Sequence, residues 1–345
     1  MTKIVPATST HDDTATTLPP TMTAVVQRGY GGTEVLHQER IPTPAPSAGQ
    51  VLVRVEAAGV DRGVWHIMAG LPYVVRPMFG IRSPRQPIPG SDFAGTVVAL
   101  GPDASDFAVG ERVFGFARGS YAQYAVADVS AIAAMPASLS FDDAAALPVS
   151  ASTALEAVRT HGEVRAGQRV LVTGASGGVG GYAVQIAVAD GADVTGVASA
   201  GKADLVRALG ASRSIDYATT DVTDLPDRYD VIIDVNGRLP VRRLARILTP
   251  TGTLVIVGGE NGGRLTGGLH RQFGATLRSV FSRRKLGFFI SSESGEGLGT
   301  LADLIESGAI RATTGTVRPL DEAGTTIDDL VAGRLRGKAV LHPTD

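Results

Sequence analysis

The sequence predicts an α/β chain: a curled β unit, then a doubly wound parallel sheet, then a short segment that returns to the β unit. Two patterns predict it. Short apolar runs at Ala24–Gln27, Gln50–Ala58, Ala94–Leu100, Arg112–Phe116 and Ala122–Ala127 are separated by Gly and Pro, including the link 41-IPTPAPSAG-49. Strands with such punctuation close into barrel-like units. From Asp142 onward the style changes. Helical stretches at Asp142–Leu147 and Ser152–His161 are followed by strands that alternate with helices, which requires parallel pairing.

In that second half the strands fall at Val170–Thr173, Asp193–Ala198, Arg213–Asp216, Asp230–Asp234 and Thr253–Gly258. Helices over Lys202–Leu209 and Val241–Leu248 lie between them. After Phe281 come the polar loop 291-SSESGEGLG-299, a helix over Thr300–Ser307 and a hairpin-like tail ending 337-GKAVLHP-343.

The stretch 170-VLVTGASGGVGGYAVQIAVADGADVTGVASAGK-202 carries the most chemistry. A β-branched strand runs into a turn crowded with Gly174, Gly177, Gly178 and Gly180, then a helix that stops at Gly191, then a second strand. Glycines let backbone N–H groups approach a pyrophosphate, and the positive end of the helix favours its charge. The complete βαβ context makes this a dinucleotide site, with Ser176, Gly177, Gly178 and Val179 forming the turn. One departure stands out: Ala175 occupies the place of the first glycine of G-x-G-x-x-G.

The tip of the second strand bears on cofactor choice. An NAD site places an acid there to accept the ribose hydroxyls. This chain reads Ala198-Ser199-Ala200-Gly201-Lys202, with no acid before Asp204. Ser199 can donate to a 2′-phosphate and Lys202 adds positive charge, so the expected cofactor is NADPH.

Composition bounds the alternatives. A chain of 345 residues exceeds one compact core, so two domains are expected. A net charge of −2 and 5% aromatic residues give no reason to invoke nucleic acid or anionic membranes. No apolar run approaches the roughly 20 residues that span a bilayer. With no cysteine, disulfides, thiolate zinc sites, iron–sulfur clusters and cysteine nucleophiles are excluded. Residues 1–20, rich in Thr, Pro and Ala and without an apolar h-region, read as a disordered leader of a cytoplasmic protein.

The order and spacing of 56-EAAGVD-61, 89-PGSDFAGTVVALG-101, 109-VGERVFG-115, 148-PVSASTALEAV-158, 174-GASGGVG-180, 215-IDY-217 and 230-DVIIDVNG-237 resemble the medium-chain dehydrogenase/reductase superfamily. Within it the chain looks like the zinc-free quinone oxidoreductase and enone reductase branch. The resemblance implies a GroES-like β-barrel catalytic domain over residues 21–148 and 285–345, and a doubly wound Rossmann dinucleotide-binding domain over 149–284. It also implies a homodimer paired through a sheet edge at Thr253–Gly258 and 259-GENGGRLTGGL-269. Zinc-using relatives carry a cysteine where this chain has Val60, and a Gly-His-Glu triplet where it has Gly90-Ser91-Asp92. Neither Val60 nor Ser91 is a usual zinc ligand. No metal is expected, and His66, His161 and His270 lack paired ligand spacing.

The resemblance also places the reacting end. Related quinone oxidoreductases carry an asparagine and a tyrosine where this chain has Asp61 and His66. Asp61 is a candidate for the nicotinamide ribose, and His66 and Tyr73 are candidate proton donors. The plainer readings are a turn residue for Asp61 and a packed imidazole for His66. Thr153 matches a position near the nicotinamide, and Tyr217 one that flanks the 2′-phosphate. Asn236, Gly258 and Gly259 lie at carboxyl ends of strands, where open α/β sheets bind ligands. Lys338 is within reach of the cofactor, although a lysine in a closing turn is usually solvated. Arg283-Arg284-Lys285 reads as a solvated hinge surface. Trp65, Ile67, Tyr73, the insert 74-VVRPMFGIRSPRQP-87 and Phe288 or Phe289 are expected to wall a pocket for a hydrophobic carbonyl compound.

The expected reaction is hydride transfer from the dihydronicotinamide to an enone or quinone, whose conjugation spreads the incoming charge. A plain ketone would develop a full alkoxide and need a strong acid nearby. Three other readings stay open: a metal-free ketone or aldehyde reductase, a biosynthetic tailoring reductase, and a non-catalytic NADPH-binding protein.

Overall fold

The computed structural model describes residues 18–258, 263–268, 275, 283–291 and 294–343. Most of the leader, together with Gly259 and His270, lies outside them. The β unit begins with β1 (Thr21–Gln27), β2 (Leu36–Pro42) and β3 (Gln50–Val60), the last running into helix α1 (Arg62–Ala69). A short helix α2 (Arg76–Phe79) follows, then β4 (Asp92–Leu100), β5 (Arg112–Phe116), β6 (Tyr124–Asp128) and β7 (Ile132–Ala134). The segment read as a Pro-rich link is in part a strand, because β2 pairs antiparallel with β1 and ends at Pro42.

Helices α3 (Phe141–Ala145) and α4 (Pro148–Leu155) lead into the second unit. It holds β8 (Arg169–Thr173), α5 (Gly178–Ala189), β9 (Asp193–Ala198), α6 (Ala203–Ala208) and β10 (Arg213–Asp216). Then come β11 (Tyr229–Asp234), α7 (Val241–Arg246), β12 (Leu248–Ile256) and β13 (Lys285–Phe288). All six strands are parallel, in the order β10-β9-β8-β11-β12-β13. The strand order reverses between β8 and β11, and this switch point is where a doubly wound sheet opens its ligand crevice.

Three expectations change. Lys285–Phe288, placed in the returning segment, is the sixth strand of the parallel sheet, with Leu286 buried beside β12. Four residues are too few to show periodicity, so the sequence hid it. Thr253–Ile256 is therefore paired on both sides, and the described edges of that sheet are β10 and β13. The homodimer expected through Thr253–Gly258 has no open ladder there. The tail is not a hairpin either. β14 (Thr314–Pro319) and β15 (Lys338–His342) run parallel, joined through the helix Ala323–Val331.

β15 pairs antiparallel with β3, Ala339 opposite Val60, and so joins the seven-strand sheet of the β unit, in the order β14-β15-β3-β4-β5-β7 with β6 also paired to β3. One buried cluster joins the two units. It runs from Ala57, Ala94 and Phe114 through Ala144–Leu147 to Val170, Val172 and Tyr182. The small side chains of α3 and α4 let the two sheets approach closely.

The glycine turn shows how tightly this is packed. A Cβ on Gly180 would stand 2.1 Å from the Gly174 carbonyl oxygen. Gly180→Ala should therefore push α5 off the turn and cost about 1–3 kcal/mol. Urea unfolding checks this, and an unchanged midpoint would refute the close approach.

Candidate active site

Asp92 opens β4 at the junction of the two units and is fully buried. Its Oδ1 accepts from the Val149 backbone N–H at 2.9 Å, in the first turn of α4. Its Oδ2 accepts from the Lys338 ammonium at 3.1 Å. Burial pushes the Asp92 carboxyl up to about 7, against the downward pull of Lys338, and neighbouring Asp61 adds to the rise. Lys338 is only 3% exposed and begins β15. The solvated lysine expected from sequence is thus half of a buried ion pair. Its stem lies against the dinucleotide turn, since a Cβ on Gly178 would meet Lys338 Cδ at 2.9 Å and Ser150 Oγ at 2.8 Å.

Beyond this pair, a cleft of 550 Å³ opens in the β unit. Of its lining residues, Asp61, Val64 and Ala117 are buried, Ile67, Ile88, Ser91 and Val149 half-buried, and Phe79, Arg85 and Arg118 exposed. Asp61 is buried and caps α1, its Oδ1 accepting from Gly63 N at 2.6 Å and Val64 N at 3.2 Å. An Asx cap of this kind satisfies two of the helix's orphan donors.

His66 and Tyr73 are not among the residues lining the cleft. Nδ1 of His66 bonds the Leu71 carbonyl at 3.1 Å, and the ring meets Trp65 edge-on. Tyr73 is 40% exposed, with the Arg76 guanidinium 4.6 Å from its ring centroid. Of the expected walls, Ile67 and the insert residues Met78, Phe79, Pro84, Arg85 and Gln86 line the cleft. Trp65 instead packs on the β-unit core, Phe288 sits in β13, and Phe289 stacks on His161 at 4.3 Å.

On the nucleotide side, the ends of β8 and β11 meet. Thr173 donates to the buried Asp234 at 2.6 Å, and Gly174 turns away with φ +68°. Asn236 N donates to Thr173 Oγ1, while its own Oδ1 is buried without a hydrogen-bond partner. A 200 Å³ cavity here is lined by Thr173, Val197, Tyr217, Asp234 and Asn236 among others. Gly258, which follows β12, lies against the turn after β11, where a Cβ would lie 2.0 Å from the Val235 carbonyl oxygen. Thr153, on α4, turns its hydroxyl back to the Val149 carbonyl at 2.7 Å.

Lys202 differs most from expectation. Its ammonium already donates to the carbonyls of Gly333 at 3.0 Å and Leu335 at 2.7 Å. Burial and nearby Arg336 lower its pKa. Arg336 is the residue that sequence reasoning missed. It reaches back from the segment before β15 to the Gly201 carbonyl and to both oxygens of Asp204. Ser199 follows β9, and its carbonyl accepts from the Lys202 backbone N–H at 3.0 Å.

A glycine turn with no room for side chains, a switch-point crevice and an unpaired amide oxygen fit a nicotinamide dinucleotide. Comparison with known proteins agrees. Residues 47–137 match the family model "Alcohol dehydrogenase GroES-like domain", and residues 209–341 match "Zinc-binding dehydrogenase". The mouse quinone oxidoreductase is 32% identical, over 90% of this chain and 95% of its own length. The chain belongs to the medium-chain dehydrogenase/reductase superfamily, in its quinone oxidoreductase branch.

Another member of the superfamily, the chloroplastic NADPH-dependent alkenal/one oxidoreductase of Arabidopsis thaliana, is 30% identical over 94% of this chain and 81% of that protein. The solved quinone oxidoreductase of Coxiella burnetii superposes with a TM-score of 0.80 at 28% identity, covering 94% of this chain and all of that one. The protein is accordingly a nicotinamide-dependent oxidoreductase. At the two zinc-ligand positions of its metal-using relatives stand Val60 and Ser91. Among the described residues, no group of three or more His, Asp or Glu is placed to hold a metal. No described helix is long and apolar enough to cross a membrane.

The buried pair makes a testable demand. Lys338→Met strands a carboxylate in the core and should cost about 3–5 kcal/mol, whereas Asp92→Asn with Lys338→Met should recover most of that. Chemical denaturation of the four proteins gives the coupling, and simple additivity would refute the pair.

Proposed function

We propose that the protein is a zinc-independent, NADPH-dependent reductase of activated C=C bonds in enones, or of quinones. One observation carries the reading. Among the described residues lining the cleft there is no His, Lys, Tyr or Cys, and the Asp61 carboxylate at its inner end is engaged as a helix cap. A ketone reduced there would develop alkoxide charge with no neighbouring acid to meet it. An enolate or hydroquinone anion disperses that charge, and water entering through the open cleft suffices to protonate it.

When bound, the dihydronicotinamide supplies the hydride. The residues of the chain do the rest. Backbone N–H groups of Ser176–Val179 hold the pyrophosphate, with the Lys338 stem keeping the turn seated. Thr153 and Asp61 border the nicotinamide end, and Tyr217 and Asn236 the adenosine end. His66 positions the Leu71–Tyr73 turn by its bond to Leu71.

For the 2′-phosphate, the absence of an acid at Ala198–Ala203 and the name of the Arabidopsis relative support NADPH. Arg336 is the better phosphate partner, because Lys202 is already committed to two carbonyls. Exchanging Asp204 for a phosphate leaves the Arg336 fork fully bonded.

Incubation with NADPH and a simple alkyl enone, a benzoquinone and the matching saturated ketone tests the reaction. The enone should give the saturated ketone. Formation of the allylic alcohol, with the double bond intact, would overturn this reading. Arg336→Gln should weaken 2′,5′-ADP roughly tenfold or more while leaving 5′-ADP nearly unchanged, as a lost charge-assisted bond requires. Calorimetry with the two nucleotides reads this directly, and equal weakening of both would remove Arg336 from the phosphate site.

A further inference from the structure

We propose that the substrate carries an anionic group at the end remote from its reacting double bond, and that Arg85 and Arg118 hold it at the mouth of the cleft. The inference rests on the reductase reading only for the chemistry of the inner end.

The sequence between the two junction carboxylates is unusual in charge. From Arg62 to Ser91 the chain contains Arg62, Arg76, Arg82 and Arg85 and no Asp or Glu, in a protein whose net charge is −2. This segment supplies α1, α2 and the rim of the cleft. Two of its arginines have structural work. Arg62 lies 4.6 Å over Trp65, and Arg76 packs on Tyr30 and Tyr73 while donating to the Gly70 carbonyl.

Arg85 is different, because it lines the cleft itself. Its two terminal nitrogens donate to the Met78 and Pro77 carbonyls at 3.3 and 3.1 Å. Those bonds fix the planar fork, which has five N–H donors in all. The second cation comes from the facing loop. Arg118 also lines the cleft, and it meets Asp128 only in a 3.3 Å pair whose side chains are 71% and 42% exposed. A pair that exposed contributes little and yields readily to a competing anion. The chain neighbours of the two arginines meet, since a Cβ on Gly119 would sit 2.5 Å from Gln86 Nε2.

The cleft is therefore polarised along its length. Its buried part holds the Asp61 carboxylate, an acceptor, and no lining cation to pair with an anionic tail. The middle is apolar and the mouth cationic. An enone with an apolar body and a terminal carboxylate or phosphate fits in one direction only, double bond inward. Guanidinium groups match the bidentate geometry of both anions.

The test uses the intact protein and a matched series: an ω-carboxy alkyl enone, its methyl ester and the corresponding phosphate monoester. The acid should show a KM roughly tenfold or more below the ester, with kcat changed far less. That preference should shrink as salt rises and collapse in Arg85→Gln/Arg118→Gln. A lower KM for the phosphate than for the carboxylate would assign the tail to phosphate. Equal KM for acid and ester, or a preference that survives the double substitution, would overturn the proposal. Calorimetry with the saturated acid and its methyl ester repeats the comparison without turnover. Binding of the acid through the arginines by an enzyme that reduces none of the enones would count against the reductase reading and for this one. Equal binding of acid and ester would sink this one alone.

Discussion

The ion pair between Asp92 and Lys338 is the constraint on which the rest of the structure depends. Its two partners come from strands 246 residues apart, and neither is tolerable alone in so buried a place. Through Val149 the same carboxylate also grips the first turn of α4, the helix that links the two sheets. Through the lysine stem it abuts Gly178. The β-unit cleft, the connecting helix and the glycine turn are thereby fixed to one another at a single point. An apolar pair could fill the same volume, but it would not specify this geometry among strand, helix and turn.

Chemistry follows from what surrounds that point. The cleft is lined by the Asp61 carboxylate, one oxygen of which accepts from two backbone N–H groups. Such an inner end is stiff and poor in acid. On the proposed reading, the electron flow terminates on the substrate's own conjugated oxygen. The relatives of this chain include proteins named as alkenal/one and quinone oxidoreductases, consistent with that economy of catalytic groups.

Much of the fold was legible because its signals are local. The Val170–Thr173 strand, the glycine cluster and the helix after it each declare themselves within a few residues, and the parallel, doubly wound class follows from alternation. The four-residue strand at Lys285–Phe288 declares nothing, since its evidence is the neighbour it pairs with. The site divides in the same way. Ser176–Val179 and Asn236 were proposed from their position in a motif. Lys202 and Lys338 were misjudged because a lysine's environment depends on partners far along the chain, carbonyls of Gly333 and Leu335 in one case and Asp92 in the other. Arg336 was invisible for that reason, and so was the engagement of His66 with Leu71.

The late arrival of β15 has a consequence for biosynthesis. Until Lys338–Leu341 leave the ribosome, Ala58–Val60 of β3 lack the strand that pairs with them, and Asp92 has no cation. The nucleotide sheet can assemble first, around contacts closer in sequence, while the β unit waits with a raw edge and an uncompensated charge. Such an intermediate is a substrate for chaperones and an invitation to pair with another nascent chain, so the final segment acts as the clasp that ends the vulnerable phase of folding.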